Sequence, residues 1–95
     1  MIKENKYQAY LKKEIRKMMP SCIILKIDDQ QGLPDLLILN GDRWAMLEVK
    51  RSGQAHHQPN QDYWVKYLNR MSYASFIYPE CEEEVLYELQ QALCA

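Results

Sequence analysis

Three charged side chains, Asp35, Glu48 and Lys50, interrupt the apolar runs of residues 32–52, GLPDLLILNGDRWAMLEVKRS. Charges in a core are costly unless they are paired or bound to metal. Glu48 and Lys50 lie two apart in a strand-like run and therefore share a face. If Asn40-Gly41 forms a two-residue turn, Leu39 pairs with Asp42 and Asp35 lies opposite Met46. Asp35 then joins Met46, Glu48 and Lys50 on one face, with Glu48 its diagonal neighbour at about 7–8 Å between α-carbons. Two carboxylates so placed can hold one divalent ion at metal–oxygen distances of about 2.0–2.5 Å. A one-residue slip would turn Asp35 to the other face and break the cluster.

Such a pair binds a hard cation such as Mg²⁺ through oxygen and leaves positions for water and a phosphate oxygen. The ion makes its water more acidic and stabilises charge on an attacked phosphorus. Lys50 would orient the water or neutralise the developing charge. The plainer alternative is a structural ion pair of Asp35 or Glu48 with Lys50 at a sheet edge.

The elements that must position these residues are legible in the periodicity. Residues 3–19 place Tyr7, Tyr10, Leu11, Ile15 and Met18 at helical spacing, and Pro20 stops the run. CIILKI (22–27) reads as a strand, and DLLIL (35–39) and RWAMLEV (43–49) as two more. SGQAHHQPN (52–60) is a loop, and residues 61–71 regain helical periodicity through Trp64, Tyr67, Leu68 and Met71. SFIY (75–78) is a further strand, and residues 80–93 form a last amphipathic helix with acids in its first turn, as the dipole prefers. The order αβββαβ plus a C-terminal helix predicts a mixed sheet flanked by helices in an α/β (α+β mixed) fold. Leu36 and Ile38 should face one way and Leu37 and Leu39 the other, as in a strand covered on both sides.

The bulk numbers set bounds. Ninety-five residues, 47% hydrophobic and 26% charged, suit a single domain over 1–95. Cys22, Cys81 and Cys94 have neither zinc-ligand spacing nor a disulfide pattern, and read as reduced thiols. The Lys- and Glu-rich start is not a signal peptide, and no apolar run approaches the roughly 20 residues that span a bilayer, so a cytoplasmic protein is expected. The net charge of −1 hides an asymmetry. Lys3, Lys6, Lys12, Lys13, Arg16 and Lys17 crowd the first helix, whereas Glu80, Glu82, Glu83, Glu84 and Glu88 crowd the last. A polyanion would settle on the first surface and avoid the second; otherwise these are solvated helix faces.

Pro34-Asp35 followed by Glu48-Val49-Lys50 on the next strand resembles the PD-(D/E)xK nuclease superfamily. Within it, Gly32-Leu33-Pro34-Asp35-Leu36, the later Gln58-Pro59-Asn60-Gln61-Asp62-Tyr63-Trp64 and the Leu-Asn-Arg-Met-Ser-Tyr-Ala-Ser that follows resemble the virus-type replication-repair nucleases, the VRR-NUC family. The resemblance spans residues 4–78 and implies a restriction-endonuclease-like core. It implies Asp35 and Glu48 as metal ligands with the Val49 carbonyl, Lys50 as catalytic lysine and Gln61 near the scissile phosphate with Trp64 packed behind it. The family's helix-1 glutamate is matched by Glu4, with Glu14 the alternative. Lys3, Lys6, Arg51 and His57 are candidate phosphate contacts, although the loop RSGQAHH departs from the family's turn. Tyr63, Tyr67 and Tyr73 could stack on unpaired bases, but the helical spacing of the first two points to the core.

The resemblance implies a Mg²⁺- or Mn²⁺-dependent endodeoxyribonuclease, similar to Holliday-junction resolvases, acting on branched DNA as a homodimer. It also implies a viral replication or repair role inside a bacterial host. A non-cleaving nucleic-acid-binding or assembly module on the same fold is the alternative. A sequence-specific restriction-type enzyme fits less well, because the chain has no room for a base-reading insertion.

Overall fold

The computed structural model describes residues 3–28 and 30–94. The elements are α1 (Glu4–Met18), β1 (Ile23–Lys26), β2 (Leu36–Asn40), β3 (Arg43–Val49), α2 (Gln61–Met71), β4 (Tyr73–Ile77), a 3₁₀ turn (Pro79–Cys81) and α3 (Glu82–Leu93). This is the expected order, in an α+β fold with a four-stranded mixed sheet and three helices. Two starts differ by two residues, and every other boundary agrees to within one. Strand β4 starts at Tyr73, because Tyr73 and Ala74 already pair with Ala45 and Met46 of β3. Helix α3 starts at Glu82, because Pro79 leads a 3₁₀ turn in which a missing N–H does no harm.

The strands lie in the order β1-β2-β3-β4. The first three form an antiparallel meander, and β4 runs parallel to β3 after a crossover through α2. Leu36, Ile38, Ala45, Leu47, Val49 and Ile77 face Tyr7, Leu11 and Ile15 of α1 and Val85, Leu89 and Leu93 of α3. Met46 and Ala74, with Leu37 and Phe76, face Val65, Leu68 and Trp64 of α2 on the other side. The split of Leu36 and Ile38 from Leu37 is the alternation expected of a strand covered on both faces. The acidic end of α3 is not simply solvated: Glu82 accepts hydrogen bonds from Tyr7 and Tyr10, both at 2.9 Å, and so clasps α3 to α1.

The hairpin register differs from the expectation by two residues. Asn40 pairs with Arg43 and Leu37 with Met46, so the turn residues are Gly41 and Asp42, not Asn40 and Gly41. Gly41 has φ +67° and Asp42 is not in the positive-φ region, the arrangement of a type II′ turn with glycine first. Asn40 is retained in the ladder because its amide donates to the Leu93 carbonyl at 2.9 Å. Its partner Arg43 donates to the Ala92 carbonyl at 3.2 Å, so the pair caps the C-terminal end of α3. The shift is even, and no side chain changes face. Asp35 therefore comes opposite Glu48 on continuing the ladder, instead of diagonal to it.

Candidate metal and phosphate site

The site is at the end of the sheet where β2 begins, β3 finishes and α2 starts. Strand β3 delivers Glu48 and, one residue past its end, Lys50, both deeply buried at 2% and 5% exposure. The chain enters β2 through Gly32, whose φ is +93°. A Cβ there would lie 2.7 Å from Asn60 Cβ and 3.0 Å from the Pro59 carbonyl. The loop that presents Asp35 thus packs without a side chain against the loop that presents Gln61, so a glycine is required. Asn60 itself adopts φ +72° immediately before α2, and Gln61, 8% exposed, is the first helical residue.

Glu48 is the centre of the cluster. Its Oε2 accepts a hydrogen bond from Gln61 Nε2 at 3.0 Å and lies 3.8 Å from Lys50 Nζ. Its Oε1 is buried without a partner. Gln61 is oriented in turn by the Gln58 N–H, which donates to its Oε1 at 2.8 Å. Lys50 Nζ donates to the His56 carbonyl at 3.0 Å, so residues 51–56 loop back to fix the ammonium. Asp35 Oδ2 accepts from the Val49 N–H at 3.3 Å.

Burial pushes the Glu48 carboxyl up to about 8, and the Asp35 charge adds to the effect while Lys50 opposes it. Burial also raises Asp35, opposed by the Val49 N–H, by Glu48 and by the charges of Lys26 and Lys50. Two buried carboxyls facing each other across the ladder resist ionising together, so the pair retains a proton to a higher pH than free carboxyls would. A pair that must keep a proton to coexist, one of its oxygens unpartnered, is the donor set a hard divalent cation would satisfy, with water completing the coordination. Among the described residues no group of three or more His, Cys, Asp or Glu side chains converges as a ready-made cage. The fit is that of an ion held by two carboxylates and solvent.

The expected residues divide by placement. Asp35, Glu48, Lys50 and Gln61 come together. Val49 is buried beside them and gives its N–H to Asp35. Glu4 is near enough for its charge to raise Glu48, whereas Glu14 pairs with Lys17 at 3.0 Å. Lys3 and Lys6 are exposed around Glu4, and Arg51 is exposed beyond Lys50. His57 lies flat on Phe76, 4.2 Å between centroids, and its Nδ1 is 2.9 Å from Asp62 Oδ1. That histidine braces the loop against the first turn of α2. Tyr73 is half-buried with its hydroxyl donating to Glu88 at 2.7 Å. Tyr63 and Tyr67 are not core residues; they are 60% and 44% exposed.

Sequence reasoning missed Lys26. Lys26 acts on Asp35 from the neighbouring strand, a relation visible only once β1 and β2 are in register. A cleft of about 360 Å³ between α2, β4 and α3 contains none of the site residues. No family model matches the chain, and neither curated proteins nor solved structures give a match.

Proposed function

We propose that this chain is a metal-dependent DNA endonuclease of the PD-(D/E)xK type, similar to the virus-type replication-repair nucleases, that cuts branched DNA as a homodimer. One observation carries the reading: Glu48, buried among Asp35, Lys50 and Gln61, keeps an oxygen without a partner. A merely structural ion pair would close on itself. Here the ammonium turns to the His56 carbonyl at 3.0 Å and stays 3.8 Å from the carboxylate. The element order is also the one that a restriction-endonuclease-like core requires.

Asp35 and Glu48 would hold Mg²⁺ or Mn²⁺ with the Val49 carbonyl and water, Glu4 adding only its nearby charge; the ion would supply an acidified water and neutralise phosphate charge. Lys50 brings a fixed positive charge to the phosphate as negative charge grows on its oxygens. Gln61 holds the Glu48 carboxylate in place and offers a polar edge to the phosphate. Water then adds to phosphorus as the phosphorus–oxygen bond to the departing strand breaks, and no covalent enzyme intermediate forms. Lys3, Lys6 and Arg51, all exposed, would contact flanking phosphates.

The test is incubation of wild type and Lys50→Ala with a labelled four-way junction, a 5′ flap and plain duplex, in Mg²⁺, Mn²⁺ or EDTA. Metal-dependent cutting of the branched substrates, reduced roughly 100-fold or more in the variant, is the expected result. A junction that is bound and never cut in either metal would replace the enzyme by a non-cleaving module. Sedimentation at micromolar concentration should show a dimer.

A further inference from the structure

On the solvent side of α2, the rings of Tyr63 and Tyr67 lie parallel, with centroids 5.9 Å apart and planes 6° apart. Trp64, half-buried against the sheet, meets both edge-on at 5.4 and 6.1 Å and braces them from below. Lys66 and Arg70 flank the rings, and these four side chains line a shallow cleft of about 210 Å³. No carboxylate lines it, and the only acid of the helix, Asp62, is engaged by His57. Neither cation has an ion-pair partner among the described residues.

We propose that this cleft binds an unpaired stretch of nucleic-acid strand, with bases on the Tyr63 and Tyr67 rings and phosphates at Lys66 and Arg70. Flat aromatic faces beside cations are what sequence-tolerant binding of single strands uses, and a paired duplex hides the base faces they need. A second copy of this chain fits less well, because a two-fold contact centred here would bring the same cations against each other. The inference rests on the nuclease reading for its setting, since branched DNA exposes unpaired segments. Because the rings turn away from the sheet, they would take strand beyond the scissile phosphate, not the reacting nucleotide.

The experiment is fluorescence anisotropy in EDTA with a fluorescein-labelled oligothymidine and a blunt duplex of equal length. EDTA separates binding from cutting, so the cleft stands or falls whether or not the protein is a nuclease. Wild type should prefer the single strand. Tyr63→Ala/Tyr67→Ala should lose at least about tenfold in affinity for it, and Tyr63→Phe/Tyr67→Phe should retain it. Lys66→Ala/Arg70→Ala should weaken binding and flatten its salt dependence by roughly one to two phosphate equivalents. Unchanged single-strand affinity in the folded Tyr→Ala pair would overturn the proposal. So would a dimer that dissociates in that variant with single-strand binding intact, which would make the face a contact between copies.

Discussion

Gln61, the first residue of α2, donates from Nε2 to Oε2 of Glu48 at 3.0 Å, tying the start of a helix to the end of a strand 13 residues earlier. The bond is buried, and the same glutamine accepts the Gln58 N–H through its other amide atom. It leaves Glu48 Oε1 as the one buried side-chain polar atom among the described residues without a partner. Fold and candidate chemistry therefore depend on the same contact.

Gln61→Ala should destabilise the metal-free protein by about 1–3 kcal/mol, since it strips the remaining neutral donor from a buried carboxyl. Nuclease activity should fall more steeply than stability. Gln61→Glu brings a further carboxylate against the pair; its metal-free midpoint in urea should be lower still, and Mn²⁺ should restore part of it. Equal urea midpoints for wild type and both variants would refute the role given to this bond.

Glu48 makes stability depend on pH. Its folded value, about 8, is above the ordinary carboxyl value of 4.5, so the native state binds more protons than the unfolded chain between these limits. Stability of the metal-free protein should be greatest below the unfolded value and decline as pH rises towards about 8. Glu48→Gln should flatten that decline and be the more stable protein at pH 8, by about 1–3 kcal/mol. Thermal unfolding in EDTA across this range checks both. A wild type that gains stability with pH would contradict the assignment.

Metal should reverse the trend. An ion bound by Asp35 and Glu48 competes with the proton the pair retains, so Mg²⁺ or Mn²⁺ should raise the unfolding temperature more at pH 8 than at pH 6. At about 100 times its dissociation constant the ion adds roughly 2.7 kcal/mol. Asp35→Asn should abolish the effect. Stabilisation that persists in this variant would place the ion elsewhere.

Gly32→Ala tests the packing of the two loops. The added Cβ would meet Asn60 Cβ at 2.7 Å, in a backbone conformation with φ +93° that alanine disfavours. A loss of about 1–3 kcal/mol is expected from strain of this kind. Activity should drop further, because Asp35 and Gln61 are displaced relative to each other. Gly41→Ala is the control: nothing lies within 4 Å of its Cβ, although its φ of +67° is also strained, so it should cost stability without this extra loss of activity.

The sequence by itself determined the order of elements, the faces of β2 and β3, and the grouping of Asp35, Glu48 and Lys50. These are consequences of period and parity: side chains alternate along strands, and an even shift in register cannot change which of them share a face. The helix Gln61–Met71 and strand Arg43–Val49 were legible to the residue for the same reason. Only the tertiary structure decided that Asn40 and Arg43 cap α3 and so move the turn to Gly41-Asp42, since the Leu93 carbonyl that Asn40 meets and the Ala92 carbonyl that Arg43 meets arrive some fifty residues later. It also decided that Tyr63 and Tyr67 face solvent. Helical spacing puts them on a common stripe, but which stripe meets the sheet depends on how α2 is rotated, and Val65 and Leu68 fix that rotation. The raised carboxyl of Glu48 likewise could not be read from residue types. It follows from burial and from Asp35 directly across the ladder, and both exist only when the strands are paired.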